Sequence, residues 1–163
     1  MTEPWREAGW IEHTKRLLDS YVRWVGQELI DRSGTPAEDA RNLYLAPFVV
    51  VAHGTQPDPV LNYANQTALQ LWEIELPVLL QMPSRLTAEP MHRDERAKLL
   101  ERTTLDGYVD DYRGIRISST GRRFLIERAT VWNVVTPDGQ PAGQAATFST
   151  WQMLPQPDGT ETE

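Results

Sequence analysis

The feature that most limits this chain is its C-terminal third. Three long strand-like runs, Tyr108–Ser118, Arg123–Val135 and Ala142–Leu154, follow one another there with only short breaks. Ser119-Thr120-Gly121 separates the first from the second, and Pro137-Asp138-Gly139 the second from the third. Both triplets place turn-forming residues where a tight reversal needs them, so the three runs read as an antiparallel meander. The middle run adds a second constraint. Its alternate residues are Phe124, Ile126, Arg128, Thr130, Trp132 and Val134 on one side, and Leu125, Glu127, Ala129, Val131 and Asn133 on the other. A sheet with one wet face should show one polar set, and neither set is polar. Both faces therefore need a cover.

The rest of the chain supplies partners and covers. Residues 5–31 read as one long amphipathic helix, with Trp10, Leu17, Leu18, Tyr21, Val25 and Leu29 on a common face and Gly34 beyond the end. Thr35-Pro36-Ala37-Glu38 reads as a capped start to a second helix running to about Tyr44. Phe48–His53 is an apolar, β-branched strand, and Val60–Tyr63 is its hairpin partner across a turn at 54–59. Asn65 caps a helix through Trp72. Pro77 to Pro90 is irregular, with one helical turn near 78–81, and Met91–Leu105 is helical with Gly107 as its stop. The predicted fold is α+β: a five-stranded antiparallel sheet with helices on one face. The long N-terminal helix covers the other face, alone or together with a second copy of the chain. The expected division is a tail at 1–4, an N-terminal helical segment at 5–45, a core at 46–154 and a flexible tail at 155–163.

Composition excludes several functions. There is no cysteine, so disulfides and thiolate metal sites are impossible and a cytoplasmic setting is expected. No apolar run approaches the roughly 18 residues that span a bilayer, and the first residues lack the flank of a secretory signal, so no membrane role is expected. Sixteen basic residues stand against 23 acidic ones, a balance that argues against nucleic acid as a partner. No catalytic or phosphate-binding motif is present, and His13, His53 and His92 do not share metal-ligand spacing. An enzyme, a metal site and a resident cofactor are therefore not expected.

A few residues invite specific readings. His53 ends a strand beside Gly54, where it either bonds a turn carbonyl or points into a pocket. Arg85 lies between helices, where it either clamps a ligand carboxylate or pins its own loop through Glu89 or a backbone carbonyl. Asp110 and Asp111 are neighbours on a strand, face opposite ways, and so cannot work as an acid–base pair. Trp5, Trp10 and Trp24 are spread around the first helix, which points to self-association because aromatic residues are enriched at interfaces.

Several stretches carry a family resemblance. Ala46–Thr55 (APFVVVAHGT), Asn62–Trp72 (NYANQTALQLW), Pro83–Pro90 (PSRLTAEP), Asp111–Phe124 (DYRGIRISSTGRRF) and Gly143–Phe148 (GQAATF) together resemble the MEKHLA domain family, covering roughly residues 10 to 154. The hexapeptide that names the family is absent, and Ile11-Glu12-His13-Thr14-Lys15-Arg16 stands in the corresponding stretch. The family is PAS-like, and Pro59–Asn65 resembles the second strand and helix cap of PAS domains. In plants the domain ends class III homeodomain–leucine-zipper proteins; this chain has neither homeodomain nor zipper heptads, so DNA binding does not carry over. The resemblance implies a non-enzymatic sensory or small-molecule-binding domain acting through a partner contact. The alternative is a ligand-free interaction module, homodimeric through residues 5–31. PAS-like haem sensors carry an axial histidine near the position of His92, but Arg93, Asp94 and Glu95 read as an exposed helix start, so haem is not expected. A ligand would sit between the sheet and the helices holding Trp72 and Leu99. Tyr63, Trp72, Arg85 and Trp132 are the candidate binding residues, and Asn133, Gln144 and Thr147 are polar positions on the sheet.

Overall fold

The computed structural model describes residues 3–155, so the expected tail positions 1–2 and 156–163 lie outside the described residues. The sheet is antiparallel throughout. Its strands are β1 (Val49–His53), β2 (Leu61–Ala64), β3 (Tyr108–Ile117), β4 (Arg123–Val135), β5 (Pro141–Phe148) and β6 (Thr150–Met153), in the order β2-β1-β5-β4-β3. The last expected strand is broken at Ser149. Beyond the break, β6 continues along the first half of β4, pairing Thr150 with Glu127 and Met153 with Phe124. The sheet thus has six strands rather than five.

Helix α1 (Ala8–Val25) is shorter than the expected 5–31. It stops where Gly26 turns left-handed (φ +87°), a conformation that side chains disfavour. Its buried stripe includes Thr14, Leu17, Leu18 and Tyr21, and the Thr14 hydroxyl is satisfied locally by the Trp10 carbonyl. Helix α2 (Pro36–Tyr44) starts with the expected capping box between Thr35 and Glu38. Helices α3 (Gln66–Trp72), α4 (Leu76–Leu79) and α5 (Arg93–Asp106) follow. Asn65 caps α3 from a fully buried position. Its Oδ1 accepts from Ala68 N and Val50 N, and its Nδ2 donates to the carbonyls of Leu43 and Phe48, so one side chain ties α3, β1 and the end of α2 together.

Two apolar clusters lie on opposite faces of the sheet. One packs Val49, Trp72, Leu79, Leu99, Phe124, Ile126, Ala129, Val131 and Phe148 beneath α3–α5. The other packs Leu17, Leu18, Tyr21, Val50, Tyr63, Trp132, Val134 and Ala145 beneath α1. The N-terminal helix therefore covers the second face from within the chain. Polar pins fix it to β4: Trp132 Nε1 donates to Leu17 O (3.2 Å), Trp24 Nε1 to Asn133 O (2.8 Å), and Val135 N to Ser20 Oγ (2.9 Å). No helix among the described residues is long and apolar enough to cross a membrane.

The two alternating sets expected along β4 do not hold. Against β3, Tyr112 pairs with Ala129 and Gly114 with Ile126, so Glu127 and Arg128 together oppose Arg113 alone. Arg128 takes a left-handed backbone (φ +54°) and makes this bulge. Phe124 and Ile126 therefore share a face with Ala129 and Val131, while Trp132 and Val134 pass to the face under α1.

Candidate functional site

A cavity of ≈ 80 Å³ lies between the sheet and helices α3–α5. Its walls are mostly apolar, with Trp72 from α3, Leu79 from α4, Leu99 from α5, and Ile126, Val131 and Phe148 from the sheet. The Trp72 ring meets Phe124 edge-on at 5.1 Å, and its buried Nε1–H has no acceptor among the described residues. Small residues stand on the sheet side of the cavity, where Ala129 and Ala146 both line it.

Two arginines enter this apolar wall. Arg96 belongs to the buried stripe of α5 with Leu99 and Thr103, and is 9% exposed. It donates to the Ser84 hydroxyl. Arg116 on β3 is 7% exposed; its Nη1 donates to Tyr112 Oη (2.9 Å) and Ile115 O (3.0 Å), and its guanidinium lies 5.3 Å from the Tyr112 ring centre. Gly114 makes this arrangement possible. A Cβ there would fall 2.0 Å from Tyr112 Oη, so the tyrosine can lie along the strand only over a glycine. Burial, and next the charge of Arg116, lower the Arg96 pKa to about 10, which leaves it charged at neutral pH. Among the described residues no carboxylate lies within 4 Å of either guanidinium.

At the cavity rim, His53 and Gln144 face each other across the β1–β5 pair. His53 meets both of its expected readings. Nδ1 donates to the Gly54 carbonyl (3.0 Å), the ring lines the cavity, and burial lowers its pKa. Gln144 and Asn133 are committed to holding α5, through the carbonyls of Leu100 and Thr103. Thr147 is committed to the Val49 carbonyl. These polar sheet positions thus serve the fold.

Of the four expected binding residues, only Trp72 lines the cavity. Tyr63 and Trp132 belong to the cluster under α1, Trp132 because of the Arg128 bulge. Arg85 is half-exposed and pairs with Asp58 through Nε (3.2 Å), so it pins its loop, through Asp58 rather than Glu89. Glu89 pairs instead with Arg123 (3.7 Å). Asp110 and Asp111 are both exposed because a second irregularity lies there in β3. His92 is the N-cap of α5 and does not line the cavity. The sequence reading missed Arg96 and Arg116. Two signals mark them: Arg96 sits three residues before Leu99 on one helix face, and Arg116 sits two and four residues after Gly114 and Tyr112 on one strand face.

Comparison with known proteins bears on the whole arrangement. The family model of the MEKHLA domain matches residues 11–153. Homeobox–leucine zipper protein ATHB-9 of Arabidopsis thaliana is 30% identical over 100 residues, which is 61% of this chain and 12% of that protein. Homeobox–leucine zipper protein HOX29 of Oryza sativa subsp. indica is 26% identical over 142 residues, 85% of this chain and 16% of that protein. The chain thus spans under a fifth of the length of these relatives. Among solved structures, the PAS domain of a protein from Colwellia psychrerythraea superimposes with a TM-score of 0.60 at 11% identity, covering 72% of this chain and 94% of that one. A light-oxygen-voltage domain studied with a flavin analogue gives 0.56 at 15% identity, covering 74% and 87%. The fold is therefore PAS-like, as expected.

Proposed function

The chain belongs to the MEKHLA domain family, and from that premise we propose that it is a non-enzymatic, cytoplasmic sensory domain that binds a small molecule in the cavity under α3–α5. One observation carries this reading: the PAS-like core is left unfilled on the α3–α5 face, and the gap is walled by apolar side chains with a few convergent polar groups. That is the ordinary composition of a ligand site. The change on binding passes to a partner protein through the surface of α3–α5.

The cavity does not fit a flavin or a haem. Pockets for ligands of that bulk run to about 300–1,000 Å³, against ≈ 80 Å³ here.

The alternative, a ligand-free homodimer through residues 5–31, rests on aromatic residues with no room on their own domain. All three find room within the chain. Trp5 packs on Tyr44 at 5.3 Å, Trp10 on Tyr63 at 4.7 Å, and Trp24 bonds to Asn133. Native mass spectrometry, compared with the denatured mass, tests both readings. The expected result is a monomer carrying added mass that is lost on denaturation. A dimer at the bare chain mass, whose amide NMR spectrum no small apolar compound perturbs, would overturn the proposal.

A further inference from the structure

We infer that the cavity takes a small organic carboxylate, its anionic end held by Arg96 and Arg116 and its apolar body lying against Trp72, Leu79 and Phe148. This rests on reading the cavity as a ligand site. Among the described residues, six of the other twelve arginines pair with a carboxylate. Arg32 pairs with Asp19 and Glu28, Arg85 with Asp58, and Arg102 with Asp111. Arg85 and Arg102 face water, where a partner matters least, and Arg32 is 20% exposed. Arg96 and Arg116 are the more deeply buried, and among the described residues they have no carboxylate partner. A guanidinium stays protonated in a protein, so the pair cannot relieve itself by losing a proton. A buried charge with no ion-pair partner is costly, and here two like charges share one cavity; Asp58, whose charge acts favourably on Arg96, is exposed and already paired with Arg85. The chain has 23 acidic residues from which a counter-ion could be drawn, yet hydroxyls and a carbonyl are the acceptors it provides. The counter-charge therefore comes from outside.

Size and lining narrow the class. A water needs about 10–15 Å³ of such space, so the ≈ 80 Å³ present holds a molecule of roughly the bulk of pentanoate. An inorganic anion would leave the apolar wall unused. A planar carboxylate can take two parallel bonds from a guanidinium, and two guanidiniums can share its two oxygens.

Calorimetry and thermal unfolding of the full chain test this with straight-chain carboxylates from butyrate to hexanoate, with 1-pentanol as the neutral counterpart, and with inorganic phosphate. The carboxylates should bind at least tenfold more tightly than pentanol or phosphate. Arg96→Met and Arg116→Met should each weaken pentanoate by about 10- to 150-fold, the worth of a hydrogen bond to a charged group, and leave pentanol unchanged. Without ligand, Arg116→Met should unfold no lower than the parent, because it removes an uncompensated charge. A variant that fails to fold, or melts far below the parent, would show the guanidinium to be structural and would overturn the inference. Pentanol binding as tightly as pentanoate would overturn it while leaving the ligand site standing. Phosphate binding as tightly would overturn the organic part. If neither the carboxylates nor pentanol bound at millimolar concentration, the inference and the ligand-site reading would fall together.

Discussion

Adjacent alanines on β5 offer a sign test of the cavity. Both line it, but Ala146 packs with the cluster under α3–α5, whereas Ala145, 2% exposed, belongs to the cluster under α1. Replacing either with valine adds two methyl groups and the same gain in strand preference, so preference cancels in the comparison. At Ala146 the methyl groups enter existing space. Each apolar carbon removed from water contributes about 0.8 kcal/mol, which puts the gain at about 1–1.5 kcal/mol when the fit is incomplete. At Ala145 they enter a filled layer opposite Trp132, its register partner. Overpacking there costs about 1–3 kcal/mol. The expected gap is about 2–4 kcal/mol between two neighbouring residues carrying the same substitution. Urea unfolding of parent, Ala145→Val and Ala146→Val measures it, with equal m-values required for the comparison. Ala146→Val should also lose ligand, since it fills the site. Equal destabilisation by the two variants would mean that the core is dry and filled on both faces, and the ligand reading would lose its basis.

Two further outcomes follow from buried polar groups. Asn65→Ala should cost about 3–5 kcal/mol in urea unfolding, from a lost helix cap of about 1 kcal/mol and three further stranded partners at about 1 kcal/mol each. Asn65→Asp should be no milder, because a carboxylate cannot donate to Leu43 O and Phe48 O; a milder aspartate would refute the donor half of the network. His13 lies edge-on to Tyr63 at 5.8 Å, and burial first, then Arg16, lowers its pKa to about 4. The folded state then binds fewer protons than the unfolded one below pH 6.5, so stability is fully present above about 6.5 and falls as pH drops toward about 4. His13→Gln should flatten about 1–3 kcal/mol of that fall; parent and variant curves that stay parallel from pH 7 to 4 would refute it.

Much of the fold was legible because local chemistry and pattern agreed. Thr35 and Glu38 announce a capping box, Asn65 a cap and Gly107 a stop, and each stands at the helix end it marks. The meander was legible from its turns, although Ser149 kinks the last strand where no glycine or proline gives warning. Gly26 does not stand out as the end of α1 because apolar spacing runs on to Leu29, which does pack on the same cluster, but from outside the helix. The site was far less legible. Burial of a charge reads in a sequence as a charge, and Arg96 stands among Arg93, Asp94, Glu95 and Lys98, on a helix with little apolar contrast. Only its place three before Leu99 distinguishes it.

The bulge at Arg128 explains why Trp132 lies on the face opposite the one its alternation predicts, and also why there is a cavity. An arginine in a left-handed conformation carries no sequence signal, because glycine, asparagine and aspartate are the residues that usually adopt it. Strict alternation from Phe124 and Ile126 would continue through Arg128 and Thr130 to Trp132, and would bring that indole to the face beneath α3–α5. A buried tryptophan takes up 150–250 Å² of contact surface, so the space next to Trp72 would be filled. The extra residue reverses the outcome. Ala129 and Val131 become the floor, Trp132 goes to the opposite face, and its Nε1 finds the Leu17 carbonyl of α1. One register shift thus leaves an unfilled core on one face of the sheet and supplies the anchor for the N-terminal helix on the other.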